Sequence, residues 1–196
     1  MNYLAHILLS GTDPEVKIGN FIGDYVKGNQ YLKYPKGVQK GIILHRKIDE
    51  FTDKHPLVKE SMQIFRPKYR RYSGVVVDVV YDYILARNWH KYSDQTLRAY
   101  VSGIHRLFIR KYFSLPNGVK QFLPYLIRSR RLENYKHLAG LRKTLYIMST
   151  HTSLPDYSDW AANEVKENID LLESQFTPFF EELMIMCNEF LAKDTF

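Results

Sequence analysis

Between Ser73 and Arg87 the chain reads Ser-Gly-Val-Val-Val-Asp-Val-Val-Tyr-Asp-Tyr-Ile-Leu-Ala-Arg. The β-branched cluster by itself favours a strand. The run is long for one, it continues through Leu85-Ala86, and its two aspartates are spaced four apart. Those features predict a buried helix with Ser73 as its cap. Asp78 and Asp82 then lie one turn apart on one face. A buried, unpaired carboxylate costs several kcal/mol, on the order of 3–5. A cation, a histidine or an arginine must therefore answer this pair, and any fold for the chain has to deliver one into its own core.

Gly41 to Pro56 is the best supplier. It carries His45, Asp49 and Asp53 at i, i+4 and i+8, one face of a helix, together with Arg46, Thr52 and His55. A neutral imidazole and a carboxylate one turn apart can hold a divalent cation, or one can orient a water for the other. A capped, solvated helix end is the competing reading, and it suits Thr52 and Asp53 best. Two further groups lie upstream. Asn2 can cap a first helix that aims His6 from its flank. A second helix, from about Glu15 to Val26, sets Asn20 and Asp24 one turn apart beside Phe21 and Ile22 and stops at Lys27-Gly28.

The remaining chain is patterned for helices, with few strand signals. Tyr31 to Lys36 reads as a loop, and Pro35 suits the first turn of the helix that follows. Helices are expected over about 57–65, 94–112, 119–129 and 135–150. Two basic segments interrupt them, Arg66 to Tyr72 and Arg128 to Arg131. A long final segment from Ser158 to Ala192 is expected to kink or divide at Pro178. There is no repeat, no low-complexity tract and no linker, so residues 1–196 are read as one all-α domain, large enough for a real core.

Cysteine and charge narrow the function. The single cysteine, Cys187, excludes a disulfide framework and a cysteine-based zinc cluster, and its apolar neighbours make it a packed thiol. The apolar N-terminus lacks a basic lead and is too short to span a bilayer, and no other stretch reaches the ~20 residues required. A cytoplasmic protein with no membrane partner is expected. Net charge is +7, concentrated at 27–71 (twelve Lys/Arg against four acids) and 98–143 (eleven against one), while 156–194 reverses it (ten acids against two lysines). An anionic partner follows, set against a merely solvated lysine surface.

His6, Asp24, His45, Asp49, Asp78 and Asp82 thus lie on four expected helices, each in an apolar context. Helical bundles build metal sites from such inward-facing side chains. An imidazole and carboxylate set without sulfur suits Mn²⁺, Fe²⁺, Mg²⁺ or Zn²⁺, with Mn²⁺ or Mg²⁺ favoured by the oxygen ligands. Phosphoester hydrolysis is the natural use. The chain has no Walker loop, no G-x-S-x-G elbow and no H-E-x-x-H, and His151 with Ser153 shows nothing specific. A nucleic-acid module built on basic helices would leave the buried aspartates without a purpose, so no nucleic acid is expected.

Met1-Asn2-Tyr3-Leu4-Ala5-His6, Gly19-Asn20-Phe21-Ile22-Gly23-Asp24-Tyr25-Val26-Lys27-Gly28, His45-Arg46-x-Ile48-Asp49-x-Phe51-Thr52-Asp53-x-His55-Pro56 and Asp78-Val79-Val80-Tyr81-Asp82 follow one another in an order and spacing that resembles the acyl carrier protein phosphodiesterase family. The resemblance is specific over about residues 1–90. It implies an HD-like all-α fold and a Mn²⁺-dependent hydrolase (Mg²⁺ or Fe²⁺ as alternatives) that removes 4′-phosphopantetheine from holo-acyl carrier protein, an acidic substrate. It assigns metal binding to His6, Asp24, His45, Asp49, Asp78 and Asp82 and catalysis to Asp24, His45, Asp49 and Arg46. Lys27, Arg46, Arg70 and Arg71 are the cations expected to meet substrate. Where relatives often carry a histidine, this chain has Tyr83, so position 83 stays outside the site. The alternative is an HD-type phosphohydrolase of a nucleotide or guanosine polyphosphate. The oligomeric state is left open.

Overall fold

The computed structural model describes residues 1–193; residues 194–196 of the expected single domain lie outside that range. The elements in order are α1 (Tyr3–Leu8), α2 (Pro14–Phe21), α3 (Lys36–Lys54), α4 (Pro56–Tyr69), α5 (Ser73–Arg87), α6 (Leu97–Arg110), α7 (Asn117–Arg128), α8 (Arg131–Asn134), α9 (Leu138–His151), α10 (Ser158–Glu167) and α11 (Ile169–Ala192). Short 3-10 turns join several of them, and there is no strand among the described residues. The fold is all-α, as its periodicity requires.

The valine-rich run is a helix, α5, with Val76, Val77, Val79, Val80 and Tyr81 all wholly buried. Its neighbours on α4 and α11 explain how it is covered. The Tyr81 ring meets Phe176 and Phe179 of α11 at centroid distances of 5.1 and 5.4 Å, and Ser61 of α4 hydrogen-bonds the Tyr81 hydroxyl. Each such fully buried large side chain is worth about 1.5–3 kcal/mol in apolar transfer. One buried apolar cluster takes residues from Met1 to Phe190, so both ends of the described chain close on one core.

The close crossing of α2 and α3 is set by two glycines. A Cβ on Gly19 would stand 2.1 Å from the Val38 carbonyl oxygen, and one on Gly41 2.2 Å from that of Val16. Backbone therefore touches backbone, and the end of α2 is pressed against the middle of α3, where His45 lies.

Several boundaries differ from the sequence reading. The helix expected to reach Val26 ends at Phe21, and Asp24 rides on a 3-10 turn, Gly23–Tyr25. A second 3-10 stretch, Gly28–Lys33, occupies part of the expected loop. The basic segment after Phe65 continues α4 through Pro67 to Tyr69, and the chain then turns at Arg70 in the left-handed region (φ 50°). Ser73 lies inside α5 and gives its hydroxyl hydrogen to the Arg70 carbonyl in place of capping the helix. The final segment divides at Asn168, whereas Pro178 sits within α11. At Pro67 and Pro178, burial of the helix's apolar face outweighed the local breaker signal.

Candidate metal centre

The site begins with an anchored α1. Asn2 caps it by accepting from the Tyr3 amide at 2.9 Å. Asp82, wholly buried on α5, then accepts from the next two amides, Leu4 at 2.9 Å and Ala5 at 3.0 Å. These are orphan donors of a helix start, and the positive end of the helix favours the carboxylate. Burial still pushes the Asp82 carboxyl up to about 7. With both oxygens committed to backbone, the structure gives Asp82 the fixing of α1 instead of the ligand role expected from the sequence.

That anchoring holds His6 against His45. The two rings stack with centroids 4.2 Å apart, and the His45 ring lies directly on Gly23, whose missing Cβ would fall 2.3 Å from Cγ. Asn20, completely buried at the end of α2, fixes both rings. Its side-chain oxygen faces His6 Nδ1 at 2.8 Å, and its backbone oxygen faces His45 Nδ1 at 2.8 Å. Its amide nitrogen donates to the His6 carbonyl and to Ser10 Oγ, each at 2.9 Å. Both acceptors call for the Nδ1–H tautomer, which leaves both Nε2 atoms as bare lone pairs.

Those lone pairs converge on oxygens. His45 Nε2 is 3.1 Å from Asp49 Oδ2 and 3.3 Å from Asp24 Oδ1; His6 Nε2 is 3.1 Å from Asp49 Oδ1 and 3.1 Å from the Met1 carbonyl. Acceptor facing acceptor is unfavourable unless a cation lies between, and at His45 a proton fills that place in the metal-free protein. Burial works to lower the His45 pKa, but Asp24 and Asp49 more than offset it and push it up to about 9. Burial likewise works to raise Asp49, and the two histidines hold it well below the usual carboxylate range. His6, deeper and beside His45, is pushed down by burial.

Asp78 completes the ring from the other side. Its Oδ1 lies 3.1 Å from the α-amino group of Met1, which is also 3.7 Å from Asp49 Oδ1. Burial works to lower the pKa of this amine, and Asp78 with Asp49 raises it overall. Two positive charges thus already lean on these carboxylates. The site is open on one side: the side chains of Asp24, Asp49 and Asp78 keep 63%, 40% and 33% of their accessible surface. The donor set fits a divalent ion. His6, His45 and Asp49 each offer one ligand atom within 4.8 Å of the others, with Asp24 at the rim and tautomers already correct for ligation.

The expected cations are placed elsewhere. Arg46 Nη2 donates to the carbonyls of Val26 (3.0 Å) and Gly28 (2.7 Å), and its guanidinium lies over the Tyr31 ring. It pins the loop that carries Asp24. Lys27 is exposed on that same loop. Arg70 and Arg71 lie in the turn between α4 and α5, where Arg71 bonds the Tyr72 hydroxyl; the cavities they line include none of the six acid and histidine residues. Asp53 is exposed, and Thr52 is buried. Asn20 and the packing glycines 19, 23 and 41 were not among the expected site residues. The spacing of Gly19, Asn20, Gly23 and Asp24 is the signal that carries them.

Comparison with known proteins finds relatives over nearly the whole chain. A family model described as acyl carrier protein phosphodiesterase matches residues 1–183. A protein of that name from Enterobacter sp. (strain 638) is 32% identical over 189 residues, covering 94% of this chain and 96% of its own length. Those of Salmonella agona and Salmonella newport are each 31% identical over 188 residues, with the same coverage. No solved structure matches. The chain belongs to the acyl carrier protein phosphodiesterase family.

Proposed function

We propose that this protein is a metal-dependent phosphodiesterase that hydrolyses the bond between 4′-phosphopantetheine and the serine of holo-acyl carrier protein. The observation that carries the reading is the pair of stacked histidines whose Nδ1 atoms are both committed to Asn20, leaving two Nε2 lone pairs against carboxylate oxygens. His6, His45, Asp49 and Asp24 would hold the ion, with Asp78 across the opening. Mn²⁺ suits this mixed nitrogen and oxygen set, with Mg²⁺ or Fe²⁺ as alternatives. Such an ion supplies positive charge to phosphate oxygens and acidifies water at neutral pH.

The chain's own residues perform the remaining tasks. Asp24, the most open carboxylate of the cluster and 3.3 Å from His45 Nε2, would take a proton from the attacking water while His45 holds it in orientation. Arg46 keeps the loop of Asp24 and Lys27 closed on the site through its two carbonyl contacts. Water adds to phosphorus, the P–O bond to serine breaks, and the serine oxygen leaves with a proton. The products are apo-carrier protein and 4′-phosphopantetheine. The exposed cations of 27–71 and 98–143 would orient an acidic carrier and raise its encounter rate.

The test is incubation of holo-carrier protein with enzyme and Mn²⁺, followed by intact-mass analysis. Loss of the phosphopantetheine mass is expected. An unchanged carrier, together with turnover of a nucleotide or guanosine polyphosphate, would assign the site to those substrates instead.

A further inference from the structure

Two cavities of about 540 and 430 Å³ lie along α7 and α9 and share Tyr125, Arg131 and Ile147 in their walls. The wall of the first includes Tyr25, the residue after Asp24. Gly118, at the start of α7, underlies that ring: a Cβ there would stand 2.8 Å from Tyr25 Cε1. The wall of the second includes α8 and the first turns of α9. Each volume falls within the ~300–1,000 Å³ of small-molecule sites. Phe122, Tyr125, Ile147 and Met148 supply apolar wall, Gln121 and Asn134 supply side-chain amides, and no carboxylate lines either cavity.

Arg131 marks where the two meet. It is only 8% exposed, gives its Nε–H to the Tyr135 hydroxyl at 3.2 Å, and lies 5.9 Å from the centre of the Phe122 ring. Among the described residues no carboxylate pairs with it. A guanidinium has five donors; here only Nε–H has a hydrogen-bond partner among the described residues, and neither Nη is among the buried unpaired atoms, so both reach solvent at the cavity wall. An acceptor-bearing ligand belongs at this junction.

We propose, resting on the phosphodiesterase reading above, that this groove takes the pantetheine arm of the substrate while the phosphate sits at the histidine–aspartate cluster. The arm is uncharged beyond its phosphate, which suits a wall without a counter-ion for any ligand amine. Its geminal methyls and methylenes match the apolar strip. Its two amide carbonyls are acceptors for Arg131, and its N–H groups and hydroxyl can pair with Gln121 and Asn134. The groove then sets which arms, bare or acylated, the enzyme accepts.

Titration calorimetry in Mn²⁺ with 4′-phosphopantetheine and, separately, inorganic phosphate tests this. Wild-type protein should bind 4′-phosphopantetheine at least tenfold more tightly than phosphate. Ile147→Trp, which fills the shared section, should erase that margin, and Tyr125→Ala, at a 41% exposed position that tolerates truncation, should narrow it. Thermal melts show whether each variant is folded, and Tyr125→Ala decides alone if Ile147→Trp is not. Equal affinity of wild type for both probes, no binding of 4′-phosphopantetheine, or a margin untouched in the folded variants would overturn the groove. Failure of wild-type enzyme to release phosphopantetheine from holo-carrier would instead overturn the reading of the metal centre, since the binding margin is measured without turnover.

Discussion

The half of the molecule built from α1 to α5 and the half built from α6 to α9 handle polar groups in opposite ways. In the first, His6, Asn20, Ser10 and Asp82 are all buried, and each is met by a defined partner from another element. In the second, most cations face outward: Arg98, Arg106, Arg110 and Lys143 are exposed, Tyr100 OH and His105 Nε2 on α6 are buried without a partner among the described residues, and the buried Arg131 has a tyrosine hydroxyl where an acid would be expected. The matched polar cluster around Asn20 tolerates little displacement and holds the ligand atoms in place. A basic, half-open shell fixes little, and suits a partner that varies in shape. The contrast makes the first half the place of chemistry and the second the place of recognition, and variants in the two should fail differently.

The largest effect is expected at the shared ligand. Asp49→Ala removes an oxygen from both histidines, so turnover of holo-carrier should drop by roughly 10²–10⁴-fold, with binding of the carrier retained. Dialysis of wild-type enzyme against a chelator should abolish activity, and Mn²⁺ should restore it. Activity retained after either change would dissolve the distinction between the halves. Asn20→Ala comes next. It leaves the backbone bond to His45 Nδ1 in place but strips partners from His6 Nδ1, the His6 carbonyl and Ser10. Metal affinity or activity should fall about 10–100-fold, as for other residues that orient ligands. Denaturant unfolding should show a loss of about 1–3 kcal/mol for the groups left unpaired.

The two halves were not equally legible. Helical character and the His45–Asp49 face follow from spacing alone, because i, i+4 geometry is local. So does the burial of α5, whose sequence is apolar all round. Asp82 was misplaced because a carboxylate that caps a helix start 78 residues upstream carries the same sequence signature as one that binds a metal; only the tertiary contact separates them. Arg46 was read as a phosphate partner for a similar reason, since nothing local shows that its guanidinium reaches the Val26 and Gly28 carbonyls. The crossing at Gly19 and Gly41 needs two helices at once. Amphipathic α6, α7 and α9 were visible as helices, but a groove between them depends on how they pack, which period does not encode.

Metal-free protein offers a sharper test of the first half through pH. His45 has its folded pKa raised from 6.5 to about 9. The stabilisation it provides is fully present below pH 6.5 and is lost as pH rises through 9. In chelator, the melting temperature should therefore decline over that window, and His45→Gln should flatten the decline. With Mn²⁺ present the cation takes over the role of the proton, so the wild-type curve should be flat as well. A metal-free protein with no slope between pH 6.5 and 9 would remove the carboxylate clamp from the account.

The smallest effect belongs to the shell. Arg106 and Arg110 are exposed on α6, away from any ligand atom, and their charge acts on an acidic carrier only through space. Reversing both to glutamate should leave kcat and the melting temperature unchanged while lowering kcat/KM for holo-carrier by a few-fold at low ionic strength. The loss should shrink as salt is raised, because the screening length falls from about 30 Å at 0.01 M to about 8 Å at 0.15 M. A loss that persists at high salt would mean direct contact in place of steering, and a fall in kcat would mean that α6 reaches the chemistry after all. Either result would move the boundary between the two halves toward the C-terminal shell.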